Sequence, residues 1–199
     1  MTSRLRSPRI LTLLATAGAI VFFGMTACSG LTRPGAQSAN VTDTVTVFAI
    51  NNTPVDAPSG LWLFGEQAVV INSSFTFDLA FDLDAQGNVT LYTVRYVAGD
   101  LSAAHSVGVQ KVSTSYESFE KAPSTGYVSD SLFSAKIGDV FAIQTSDPSA
   151  CSFSVYSNVI YGKVQILSVD PVARTLRTRF TVNPNCGFFS LIPSGTPKD

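Results

Sequence analysis

His105 is the only histidine of the chain, and it stands in the stretch GDLSAAHS with Asp100, Ser102 and Ser106 close by. A hydroxyl, an imidazole and a carboxylate are the groups of nucleophilic acyl transfer: the imidazole takes the hydroxyl proton and the carboxylate orients the imidazole. Closeness in sequence does not create that geometry, and no nucleophile elbow raises a serine for attack. The stretch is therefore read as a polar surface loop. A second group is DLDAQGN, in which Asp82, Asp84, Gln86 and Gly87 match the opening of a calcium loop. Such a loop needs oxygens at alternating positions and a glycine at the bend. Its twelfth position is Thr93, where a bidentate glutamate belongs, and its flanks alternate like strands. The sequence therefore predicts a hairpin turn that uses Asp, Gly and Asn for their backbone tolerance. Cys28, Cys151 and Cys186 have no Cys-x-x-Cys spacing, and with one histidine they supply too few zinc ligands. No catalytic residue, metal or cofactor is assigned.

Strands must position whatever chemistry remains. SFTFDLAFDLD, Ser74 to Asp84, puts Phe75, Phe77, Leu79, Phe81 and Leu83 on one face and Thr76, Asp78, Ala80 and Asp82 on the other. That period of two marks a strand with one buried face. Val89 to Val97 returns after the turn, pairing Phe81 with Leu91 and Leu83 with Val89. The outer face of this hairpin collects Tyr92, Tyr96, Asp78 and Asp82, two rings and two carboxylates suited to gripping a sugar or peptide. A second hairpin joins Tyr161–Val169 to Thr175–Val182. Ile166 then faces Thr178, Val164 faces Phe180 and Gly162 faces Val182. Lys163, Gln165, Arg177 and Arg179 line its wet face. Further strands are predicted at Thr44–Ile50, Leu61–Phe64, Ala68–Ile71, Val107–Val112, Asp139–Thr145 and Ser152–Tyr156. One short helix is predicted over TSYESFEKAP, from the capping-box spacing of Thr114 and Glu117 and the stop at Pro123. Many short antiparallel strands make an all-β domain over residues 43–199, a sandwich or a barrel.

The first residues carry a different signal. Arg4, Arg6 and Arg9 precede the apolar run Ile10 to Gly24, which is shorter than the ~20 residues that cross a bilayer as a helix. A basic segment, a short apolar segment and small residues make an export signal. The MTAC that ends it, Met25 to Cys28, resembles the lipobox of bacterial lipoproteins. That resemblance implies cleavage after residue 27, acylation of Cys28 and a place in the cell envelope, lipid-anchored and extracytoplasmic. Ser29, in place of Asp, leans towards the outer membrane. Residues 28–42, rich in Gly, Ser, Ala and Asn, suit a flexible tether. If Cys28 carries lipid, Cys151 and Cys186 are left as a pair in an oxidising compartment.

Without residues 1–27, which hold three of the 13 basic side chains and none of the 14 acidic ones, the formal charge is −4. The cations are scattered, which disfavours nucleic acid as a partner. Two further resemblances bear on ligands. Gly60–Leu61–Trp62 resembles the Gly-x-Trp of lipocalin-like barrels, and the stretches IGDVFAIQT and YGKVQIL resemble strands of HmuY-like haem-binding lipoproteins. The latter family holds iron with two histidines; this chain has one, and its only methionines are Met1 and Met25. The expectation is a non-enzymatic envelope module that binds protein or glycan or serves a structural role. A carrier of a small apolar ligand is the alternative.

Overall fold

The computed structural model describes residues 34–199 apart from 103–104, 194 and 198–199. The export signal, the lipobox and Cys28 lie outside the described residues. The strands are β1 (Val41–Phe48), β2 (Gly60–Trp62), β3 (Gln67–Val69), β4 (Leu79–Leu83), β5 (Val89–Thr93), β6 (Val107–Val112), β7 (Leu132–Ala135), β8 (Val140–Thr145), β9 (Ile160–Asp170) and β10 (Thr175–Asn183). They form two five-stranded antiparallel sheets, ordered β1-β10-β9-β8-β6 and β3-β2-β4-β5-β7. The sheets pack face to face as a sandwich, and one core fills the space between them. Phe81 on β4 and Phe77 just ahead of it enter from the side of the β3-β2-β4-β5-β7 sheet, and Phe141 and Phe180 from the other, larger in strand length, all fully buried. Each such ring contributes roughly 2–3 kcal/mol of burial.

Both hairpins keep the register their alternation dictates. Phe81 pairs with Leu91 and Leu83 with Val89; Ile166 pairs with Thr178, Val164 with Phe180 and Gly162 with Val182. The longer hairpin slips once: Arg177 pairs with Ser168 but Thr178 with Ile166, which leaves Leu167 bulged out of the ladder. The extra residue resets the alternation, so Ile166 and Val169 both turn towards the core.

The strand expected from Ser74 starts only at Leu79. Phe75 has φ +49, a left-handed conformation inside a turn built on Asn72. The partner strand stops at Thr93, whose hydroxyl accepts from the Tyr96 backbone N–H and caps a short helix, Val94–Ala98. The strand expected at Ser152–Tyr156 is a turn, and it follows a one-turn helix, Pro148–Cys151, capped by Asp147. β7 had no period to announce it; it pairs with β5. Val41 and Thr42, expected in a tether, open β1. Just before them, the Gln37 and Ser38 backbone N–H groups donate to Asn185 Oδ1 at 2.7 and 3.0 Å. The chain is thus held before the first strand begins.

The helix expected at Thr114–Pro123 is a turn, and it covers part of the wet face expected of the second hairpin: Arg177 is exposed, Gln165 and Arg179 are half-buried, and Lys163 is closed off. Lys163 is fully buried. Its ammonium donates to the carbonyls of Tyr116 (2.7 Å) and Phe119 (2.8 Å), and lies 4.4 Å from the Tyr116 ring centroid. Arg179 lies over the same ring at 3.9 Å and donates to Glu117. A helix needs its carbonyls for its own backbone; here an interior cation takes two of them. A small second core of Tyr116, Phe119, Ala122, Val140, Ala142, Tyr161 and Leu191 forms beneath the cover. Burial pushes the Lys163 amine down to about 8 and the Tyr116 hydroxyl up to about 12. Lys163→Met should cost about 1–3 kcal/mol at neutral pH, since two buried carbonyls lose their donor. Urea denaturation checks this; an unchanged midpoint would mean that the cover holds without the lysine.

Candidate functional site

The clearest gathering of titratable groups sits at the end of the sandwich where β4 begins and β8 ends. Asp78 is fully buried there, ahead of β4; Thr145 closes β8, and His105 leads into β6. His105 is 7% exposed, so it is an interior residue and not the surface histidine expected from its polar neighbours. Its Nε2 lies 2.9 Å from Asp78 Oδ1 and 3.1 Å from Thr145 Oγ1, and its Nδ1 lies 3.2 Å from the Phe75 carbonyl. The other Asp78 oxygen accepts the Leu63 backbone N–H at 2.6 Å. Nearby, Asp147 accepts from the Trp62 indole and from Ser149 N.

The partners favour the charged ring. A carbonyl oxygen and an ionised carboxylate oxygen only accept, so the imidazolium, donating from both nitrogens, serves both. Desolvation opposes that charge and is the largest single influence, but the Asp78 hydrogen bond and charge, the Phe75 carbonyl and Asp147 together outweigh it and raise the His105 pKa. An acyl-transfer relay needs the carboxylate on one ring nitrogen and the nucleophile on the other. Here both the carboxylate and the hydroxyl share Nε2, and the second nitrogen is bound to backbone. The cluster is built to tie β2, β4, β6 and β8 together across the two sheets.

The expected ring-and-carboxylate face does not assemble. Tyr92 and Tyr96 do meet, with ring centroids 5.3 Å apart. Asp78 has turned inward to His105. Asp82 is held by Arg174 (3.0 Å) and by the Asn51 side-chain amide (2.6 Å). Both carboxylates are committed, and an aromatic pair alone is left. Tyr92 has its hydroxyl pKa raised by desolvation and by the Asp82 charge. Asp84 behaves as a turn residue: its carboxylate accepts from Gln86 N, Asn88 N and the Asn88 side chain, which lowers its pKa. Gly87 takes φ +80 in that turn. No cluster with metal-ligand geometry occurs among the described residues. Trp62 is half-buried in β2, its indole on Asp147.

Sequence reasoning missed a polar groove of about 430 Å³ beside β6. Ser106, Thr125, Tyr127, Gln144, Ser146 and Asn158 line it. Residues 125–129 lie along β6, joined to it by a bridge between Val109 and Val128. Gly108 makes that approach possible, since a Cβ there would sit 2.7 Å from the Tyr127 Cβ. The buried Tyr127 hydroxyl has no hydrogen-bond partner among the described residues, and burial raises its pKa. STGYVS, Ser124 to Ser129, has no period; only its turn residues hinted at an ordered loop.

Cys151 and Cys186 stand at disulfide distance, with Cα atoms 5.8 Å apart. No family model, curated protein or solved structure matches the chain.

Proposed function

We propose that this chain is a bacterial envelope lipoprotein: Cys28 carries the lipid, and the β-sandwich is an extracytoplasmic, non-enzymatic module that binds a polar partner or serves a structural role. The observation that carries this reading is the Cys151–Cys186 pair. Two of the three cysteines are matched to each other, as in exported proteins. The third is the one that ends the lipobox-like MTAC. The groove beside β6 is the ligand face in this reading. Its hydroxyl and amide lining suits a glycan or protein surface better than a hydrocarbon. The aromatic filling of the space between the sheets speaks for such a module over a carrier of apolar ligands. The imidazolium clamp at His105, bound on both nitrogens, speaks for a structural histidine over a catalytic or iron-binding one.

The test is the mature N-terminus. Protein purified from host membranes should yield an N-terminal peptide that begins at Cys28 with acyl mass attached. Cys28→Ser should move the protein from the detergent phase to the aqueous phase. An N-terminus elsewhere, without acyl mass, overturns the reading.

A further inference from the structure

The turn that follows Cys151 exposes three large apolar side chains in a row of small polar ones. Phe153 is 98% exposed, Val155 88% and Tyr156 43%. From Pro148 to Gly162 the chain carries no charged side chain. The backbone of the turn is largely satisfied from within: Ser154 N donates to the Cys151 carbonyl, and Tyr156 N and Ser157 N donate to Ser154 Oγ. An apolar tip without charges, three of whose amides already have partners, loses less on entering a medium poor in water than an open loop would.

The position of the tip identifies that medium. Gln37 and Ser38 are hydrogen-bonded to Asn185. Asn185 is followed by Cys186, which pairs with Cys151 at the base of the tip. The incoming chain and the apolar tip therefore occupy the same end of the sandwich. Eight residues lie between Cys28 and Gln37, a reach of at most about 30 Å. A lipid on Cys28 would tether the sandwich to the bilayer through this end. A single lipid chain or a single apolar tip holds weakly, whereas two signals together hold stably.

We infer that Phe153, Val155 and Tyr156 enter the headgroup–acyl boundary of the membrane that holds the Cys28 lipid, and so fix the orientation of the sandwich on that surface. This rests on the lipoprotein reading above. Val172 offers an internal control: it is 96% exposed in the turn beyond β9, and the eleven residues of that strand put it roughly 35 Å from the tip.

The experiment places an environment-sensitive fluorophore on Phe153→Cys and, separately, on Val172→Cys. Each full chain is isolated from host membranes and reconstituted in phosphatidylethanolamine–phosphatidylglycerol vesicles containing a nitroxide lipid. The acyl mass of the N-terminal peptide is measured on the same preparations. The expected result is acylated protein whose probe at 153 is quenched severalfold more than the probe at 172, unchanged by high salt. Acylated protein with equal quenching at both positions overturns the inference and leaves the anchor standing. Protein without acyl mass overturns both. Shielding of the 153 probe in host membranes but not in pure lipid vesicles assigns the tip to a protein partner, and also overturns it.

Discussion

Asp78→Ala should lower the unfolding free energy by about 3–5 kcal/mol, the usual cost of removing one partner of a buried, hydrogen-bonded charge pair. The substitution strands two donors at once: the Leu63 backbone N–H and the His105 imidazolium. A donor without a partner in a dry site keeps its whole desolvation penalty. Asp78→Asn keeps an acceptor for one of them and should cost less. The His105 pKa is raised in the fold. Its contribution is therefore fully present below the unfolded value near 6.5 and is lost as pH rises through the folded one. Urea midpoints measured from pH 5 to pH 9 should fall across that window in the wild type, and this component should vanish in His105→Asn. Equal slopes in both proteins would mean that the ring is neutral in the fold.

The second large effect belongs to the cysteine pair. Cys151 and Cys186 are 35 residues apart, and closing a loop of that length removes about 3–4 kcal/mol of freedom from the unfolded chain. The double Ser variant should fold, because neither cysteine belongs to a strand ladder and Cys151 is one residue among many in the main core, but it should melt about 10 °C lower. Scanning calorimetry of the wild type with and without reductant, beside the variant, measures it. An unmoved transition would show that the unfolded chain gains nothing from release. In the folded protein the bond also keeps the apolar turn beside the segment that enters β1, so reduction should loosen both.

The parts of this fold that were legible are those in which one physical rule acts alone. β4–β5 alternates along its pairing and β9–β10 does so up to the bulge at Leu167, and a one-residue slip would turn the apolar side chains to water, so these registers could be written from the residues. β6 was legible only in its bounds, Val107–Val112. The parts that were not legible are those where a distant group overrides the local rule. Thr114 and Glu117 have helix-start spacing, but Lys163, from another strand, claims the carbonyls that a helix would use. Asp78 belongs by its alternation to the polar face, but it stands just ahead of β4 and the chain buries it, because His105 and Leu63 N offer it partners. His105 looks like a loop residue among serines; nothing local reveals a carboxylate 27 positions earlier in the chain. The groove beside β6 depends on a loop crossing at Gly108, and a glycine does not declare what crosses it.

The pairing of the first strand with the last has a consequence for how the chain acquires its shape over time. β1 is an edge strand whose ladder runs to β10, with Val41 opposite Val182 and Phe48 opposite Thr175. A ribosome or an export channel releases the chain from its N-terminus, so Val41–Phe48 emerges long before its partner exists in free solution. Until Asn183 is out, this strand is an unsatisfied edge and the larger sheet is incomplete. Contacts so far apart in sequence slow the closing step, because the entropy of the whole intervening chain must be surrendered first. The sheet that holds β1 is thus closed only after β10 has emerged, and a chain stopped short of β10 lacks the ladder that pairs with Val41–Phe48.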